Sequence, residues 1–226
     1  MKNAVRLSGA GEWTTMVTSP KIEGSPADSL RAGASHEAGS LNRTRRVLLT
    51  ALFAALTALG GWIRIPFVPV PLTLQTLFVY LSGMWLGKTS GFISQAVYLA
   101  AGLAGLPVFS AGGGPAYVLH PTFGYLIGFP CAAWVLGAMI EKVSDPCSTR
   151  TLLWAGICAI LIILGAGTIG LYANLNWISG ASVSFIHAVW TGFAVFLPGE
   201  GVKFALAAGL YRRLRGAFLH EEARPG

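Results

Sequence analysis

The chain has 226 residues and a net charge of +7, with 54% hydrophobic and only 11% charged residues. A soluble domain carries about 25% charged residues, so this composition excludes an ordinary cytosolic globule, and the high hydrophobicity excludes disorder for the bulk of the chain. The cysteines number 3 and are scattered, too few for a disulfide scaffold or a zinc site.

Charge sits at the ends. Residues 1–46 carry seven Lys/Arg and four acids, and residues 211–226 carry four Arg and two Glu. Between them lie Arg64, Lys88, Glu141, Lys142, Asp145, Arg150, Glu200 and Lys203, separated by long apolar runs. A spanning helix needs about 20 mostly apolar residues, so the pattern is that of a polytopic membrane protein. The basic residues flank hydrocarbon-length segments and suit a cytoplasmic membrane face, not nucleic acid.

In chain order, residues 1–42 are rich in Ser, Gly, Ala and Thr and read as a disordered tail without a signal-peptide pattern. Six apolar segments follow, at about 47–63, 72–87, 90–106, 121–140, 151–172 and 185–211, within a domain spanning 43–215; residues 216–226 form a short C-terminal tail. Only Gly87-Lys88-Thr89 separates the second segment from the third, which predicts a tight helical hairpin. Arg43, Arg45, Arg46, Lys88, Lys142, Arg150, Arg212, Arg213 and Arg215 all fall on one side of a six-span arrangement. The expected fold is therefore an all-α membrane protein of six transmembrane helices with both termini cytoplasmic.

The loops on the opposite side are distinctive. Arg64 to Leu72 contains prolines at 66, 69 and 71, which predicts a stiff, extended strap. The stretch from Leu106 to Pro121 contains Gly112, Gly113 and Gly114. It is long for a connection and largely apolar, so it is expected to fold back as a lid over a cavity.

Four motifs bear chemistry. Leu197-Pro-Gly-Glu200-Gly-Val-Lys203 places an acid and a base inside a spanning segment, each disfavoured there by roughly 2.5–3.5 kcal/mol. Three positions apart, they project within roughly 60° of each other. They form either a self-neutralising pair that steadies the helix or two polar groups facing a ligand cavity. Gln75, after Thr73, offers two donors and an acceptor, to a ligand or to a neighbouring helix. Gly124 and Gly128 permit close helix contact, and Tyr125 between them either anchors at the headgroups or closes over a ligand. Ala51, Ala54, Ala55 and Ala58 form a small-residue stripe for packing within the chain or for docking a partner. Two near-misses carry little: Gly83 to Thr89 is one residue short of a phosphate loop, and Ser179-Gly180 lacks the preceding glycine of a serine hydrolase motif.

Gly60-Gly-Trp-Ile-Arg-Ile-Pro-Phe-Val-Pro-Val-Pro-Leu-Thr-Leu-Gln75 resembles the first-loop signature of the BioY family, the biotin-specific substrate-binding (S) subunits of energy-coupling factor (ECF) transporters. Leu106-Pro-Val-Phe109, Gly112 to Gly114 and Pro121 through Phe129 are similar to that family's central block. Leu197-Pro-Gly-Glu200 with Lys203 resembles its Pro-Gly-Asp-x-x-Lys element, with Glu in place of the usual Asp. The resemblance covers about residues 47–212. It implies a subunit in a prokaryotic cytoplasmic (inner) membrane that captures biotin from outside and works with a transmembrane coupling protein and cytoplasmic ATPase subunits. The alanine stripe would dock on that coupling protein. The implied substrate-binding residues are Glu200, Lys203, Gln75, Tyr125, Arg64, Thr122 and Gly113, with the Arg64 guanidinium a candidate partner for the biotin carboxylate.

No Walker motif is present, so the chain is not expected to hydrolyse ATP by itself, and the energy for uptake must come from partners or transport must be passive; no nucleotide site, cofactor or metal is expected in this chain. Expected partners are biotin, the coupling and ATPase subunits and membrane lipid, without nucleic acid; a homo-oligomer is left open. The alternatives are an S subunit for a different small vitamin, an integral-membrane enzyme, or an assembly protein without a ligand. An enzyme would need a nucleophile with a base or a metal cluster within the spans, which the sequence lacks.

Overall fold

A computed structural model describes residues 26–66, 70–143, 145 and 147–222, with side chains described for 43–215 of these. The chain divides into two units, Met1–Leu41 and Asn42–Gly226, and the site lies in the second. Of the expected N-terminal tail, residues 1–25 lie outside the described residues.

The chain is mostly helical. Its elements are α1 (Pro26–Trp62), β1 (Arg64–Ile65), β2 (Leu72–Thr73), α2 (Gln75–Leu103), α3 (Phe123–Glu141), α4 (Thr149–Ala173), α5 (Phe185–Val189) and α6 (Leu197–Glu222). A 3₁₀ turn, Pro115–Leu119, precedes α3; π-helical turns continue α4 through Asn174–Ile178 and α5 through Trp190–Ala194. α6 runs past residue 215 to Glu222, into the segment expected as a tail. Three stretches among the described residues are long and apolar enough to cross a membrane: Phe123–Glu141, Thr149–Ile178 and Phe185–Arg215. These are the fourth, fifth and sixth predicted segments. The first falls in α1, and the second and third both fall in α2.

α2 is not one straight rod. At Gly87 the backbone takes φ 74° and ψ −176°, a conformation that glycine adopts without steric cost. Beyond it the chain returns on itself. Gln95 Nε2 donates to Ser82 Oγ at 3.1 Å, and Gln75 on the first arm bonds Tyr98 on the second. Straight helix would hold Ser82 and Gln95 about 20 Å apart, so residues 75–86 and 88–103 are antiparallel arms, as the Gly87-Lys88-Thr89 spacing predicts. Glu141 closes the turn: its Oε1 accepts the Lys88 backbone N–H at 2.9 Å, and its Oε2 lies 3.4 Å from Lys88 Nζ.

α3 packs between α2 and α4, and α6 lies against α2 and α4. Gly124 and Gly128 serve this packing. A Cβ at Gly124 would sit 2.6 Å from the Ala166 carbonyl oxygen, and one at Gly128 would sit 3.0 Å from Ile163 Cα. The surface is inverted relative to a soluble protein. Leu48, Leu52, Trp154, Leu161, Val202 and Leu206 are exposed, while Ser82, Ser94, Gln95, Glu200 and Lys203 are buried. Such an exterior is suited to lipid, and buried polar groups then need partners inside the bundle.

The two distinctive loops meet the site. The proline-rich segment is not a single extended strap: Arg64 pairs with Thr73 and Ile65 with Leu72, antiparallel, so the chain doubles back. The prolines lack N–H donors, but the residues at both ends keep theirs and form a short ladder. Residues 67–69 within it lie outside the described residues. The second loop folds back as expected. Phe109 and Gly112 exchange backbone hydrogen bonds, and Gly114 N–H donates to the Gly102 carbonyl at 2.7 Å. Phe109 is thereby buried between Tyr98 and Tyr117.

Candidate functional site

The site grows from the start of α6. Pro198 falls in the first helical turn, where a missing N–H costs nothing. Glu200 also lies in that turn, where the helix dipole favours a negative charge. Lys203 follows on the same face. Both are buried, with only 3% and 8% of their surfaces exposed, and they form an ion pair.

Neighbouring groups complete the pair's hydrogen bonding. Tyr80 OH donates to Glu200 Oε2 at 2.6 Å, and Thr76 Oγ1 donates to Oε1 at 3.1 Å. Lys203 Nζ donates to the Thr73 carbonyl oxygen at 3.0 Å. The first arm of α2 and β2 thus hold the pair from the opposite side, so that neither charge is left unpaired in the bundle.

The pair forms part of the wall of a small cavity walled by α2, α3, α4, α6 and both loops. Thr73, Gln75 and Thr76 form a second polar patch, and Ser110 and Thr122 a third. Phe129, Ile163, Leu164 and Phe196 supply apolar surface between them, and Val70 and Pro71 reach it from the proline-rich loop. A site with a charged pair, separate hydroxyl and amide patches and an aromatic-aliphatic wall suits a compact ligand that is polar at more than one point.

The structure brings five of the expected site residues together: Glu200, Lys203, Gln75, Thr122 and Tyr125 all line this cavity. Gln75 Oε1 accepts from Thr73 Oγ1 at 3.0 Å while its amide nitrogen donates to Tyr98 OH. A Cβ on Gly61 would sit 2.9 Å from Gln75 Nε2, so the end of α1 presses on the amide. Tyr125 is buried, which of its two alternatives favours the cavity over the headgroups. Its hydroxyl donates to the Gly192 carbonyl at 2.6 Å. That carbonyl belongs to the π-helical turn before α6, where the backbone pattern shifts and Phe196 N–H bonds Phe193 instead.

Two expected residues lie outside the lining. Arg64 is exposed and donates to the Ser110 backbone carbonyl, so it ties the first loop to the second. Trp62 adds a bond to the Pro107 carbonyl at 3.3 Å. Gly113 lies against the Leu106 and Gly102 carbonyl oxygens, where any side chain would collide. The alanine stripe is split: Ala54 is buried in the chain's own core, Ala58 packs against it, and Ala51 and Ala55 are exposed.

Sequence reasoning missed Thr76, Tyr80 and Ser110. Thr73, Thr76 and Tyr80 recur at the spacing of one helix face, and that polar run beside an apolar segment was the available signal. Ser110 had none. Among the described residues no cluster of three or more His, Cys, Asp or Glu side chains exists to hold a metal.

Comparison with known proteins gives a consistent result. The model of the BioY family matches residues 31–220. The chain is 44% identical over 176 residues to the probable biotin transporter BioY of Lysinibacillus sphaericus, covering 77% of this chain and 89% of that one. It is 41% identical over 173 residues to the biotin transporter BioY of Thermotoga maritima, covering 76% and 96%. Among solved structures, the S-component for biotin from an ECF-type ABC transporter superposes with a TM-score of 0.68 at 27% identity, covering 77% of this chain and 93% of that one.

Proposed function

The chain belongs to the BioY family, and on that premise we propose that it is the biotin-binding membrane subunit of a vitamin uptake transporter. Its role is transport, not catalysis. The observation that carries the reading is the buried Glu200–Lys203 pair on the wall of the cavity, with Gln75 and Thr122 also on that wall. Biotin has two ureido N–H donors, one strong carbonyl acceptor, an apolar sulfur ring and a carboxylate tail. Glu200 is suited to accept an N–H, Lys203 to donate to the carbonyl or the carboxylate, and Phe129 and Phe196 to enclose the ring. Charge-assisted bonds of this kind contribute roughly 1.5–3 kcal/mol each. Arg64, at the rim through its bond to Ser110, is placed in this reading to meet the carboxylate when the loops move.

The wider arrangement rests on the same premise. Counting α1 and the two arms of α2 with the three long apolar stretches gives six spans, and the basic residues then fall on the cytoplasmic side with both termini. The cavity, beside the proline-rich and glycine-rich loops, opens outward in that orientation. In this reading a transmembrane coupling protein and cytoplasmic ATPases in the inner membrane drive uptake. The exposed Ala51 and Ala55 on α1 offer the docking face, and a loaded, loop-closed bundle rocks as it docks. A calorimetric screen of the purified protein against biotin, thiamine and riboflavin tests the reading. Biotin alone should give saturable binding; binding of another vitamin in its place would overturn it.

A further inference from the structure

Four side chains form a continuous chain of polar contacts from the loop surface to the cavity. His120 Nδ1 lies 2.8 Å from Thr122 Oγ1, Thr122 Oγ1 lies 3.0 Å from Tyr117 OH, and Tyr117 OH lies 3.2 Å from Ser110 Oγ. Ser110 and Thr122 line the cavity, while His120 does not. The Thr122 backbone N–H points at His120 Nδ1 at 3.3 Å, a contact that suits a neutral ring with its proton on Nε2 and Nδ1 accepting.

An acceptor at one end sets the direction of every hydroxyl behind it. With Nδ1 bare, Thr122 donates to His120, Tyr117 to Thr122 and Ser110 to Tyr117. Ser110 Oγ then has only lone pairs left for the cavity. With Nδ1 protonated, Thr122 accepts from the ring and its own proton is freed toward Tyr117, so the fixed order is lost and Ser110 is free to turn its proton toward the ligand.

We infer that His120 is a positioning residue that sets the hydrogen-bonding polarity of the cavity wall, so that Ser110 Oγ faces the ligand with lone pairs alone, as an acceptor for its N–H, while the imidazole is neutral. The inference deepens the biotin reading and rests on it, since the ureido ring carries biotin's only N–H groups. Burial favours the neutral ring and lowers the His120 pKa from its ordinary value. The groups facing the imidazole are few. Tyr117 stacks on it with ring centroids 4.6 Å apart. Asn174, uncharged, reaches the adjacent Leu119 carbonyl from the end of α4. Arg64 on β1 meets the far end of the chain at the Ser110 carbonyl. Among the described residues no carboxylate pairs with His120.

The test is biotin affinity by calorimetry from about pH 7.5 down to about pH 5, a range that spans histidine titration, for wild type, His120→Asn and Tyr117→Phe. Asn offers an acceptor near the position of Nδ1 without titrating there, and Phe cuts the chain while keeping the ring stack. Wild-type affinity should fall about three- to tenfold more steeply with acidification than that of either variant, the value of one hydrogen bond. Comparison at each pH cancels the titration of biotin's own carboxylate. Parallel profiles in all three proteins would overturn the inference alone. Absence of biotin binding by wild type at pH 7.5 would overturn the biotin reading and this inference with it. If His120→Asn fails to fold, Tyr117→Phe decides by the same criterion.

Discussion

Tyr80 donates its phenolic hydroxyl to Glu200 at 2.6 Å across 120 residues of sequence. This bond joins the first arm of α2 to the start of α6 and keeps a carboxylate satisfied inside an apolar bundle. Thr76 adds a second donor one turn earlier.

Tyr80→Phe removes one hydrogen bond to a charged group and nothing else of the ring. It should lower stability by about 1.5–3 kcal/mol, read as a lower midpoint of thermal unfolding in detergent. An unchanged midpoint would mean that Glu200 does not depend on Tyr80.

Gly61→Ala tests the pressure of α1 on the site. The added methyl meets Gln75 Nε2 at 2.9 Å and the Val108 carbonyl at 3.2 Å. Overpacking of this kind typically costs about 1–3 kcal/mol. Biotin affinity should fall together with thermal stability, because the displaced group is a cavity-lining amide.

Gly87→Ala tests the hairpin turn. At φ 74° and ψ −176°, a region essentially restricted to glycine, another residue is strained by roughly 1–3 kcal/mol, and its Cβ would collide with the Glu141 carboxylate. Glu141→Ala alone loses the contacts to Lys88. The double variant should be less destabilised than the sum of the two, a coupling that a double-mutant cycle of unfolding midpoints measures.

Acid should weaken the fold through His120. Its folded pKa is lowered by burial, while the unfolded ring titrates near about 6.5. The unfolded state therefore binds the proton first. The contribution to stability is complete above the unfolded pKa and is lost as pH falls through that value toward the folded one. Unfolding midpoints of wild type against His120→Asn across that window check the sign.

The sequence carried much of this site because the cost of charge in lipid makes Glu200 and Lys203 conspicuous, and because a three-residue spacing fixes their common face. The Gly87 hairpin was legible for a similar reason: a glycine and a lysine between apolar runs leave little room for anything but a turn. The partner of Tyr125 was not legible. Its hydroxyl goes to a carbonyl exposed by the π-helical turn at Trp190–Ala194, and no residue pattern announces where such a turn falls. Tyr80 and Thr76 escaped because their role depends on which helix faces them, a long-range fact. The proline-rich segment was read from its interior residues, whereas its ends decide its course by pairing.

The central claim is that Glu200 and Lys203 serve a ligand as well as each other. Titration calorimetry of biotin into purified wild type and Lys203→Ala tests it most directly. Losing a buried, hydrogen-bonded charge should raise Kd at least about thirtyfold, with the helical content of the variant unchanged by circular dichroism. Equal affinity in a folded Lys203→Ala protein would contradict the claim.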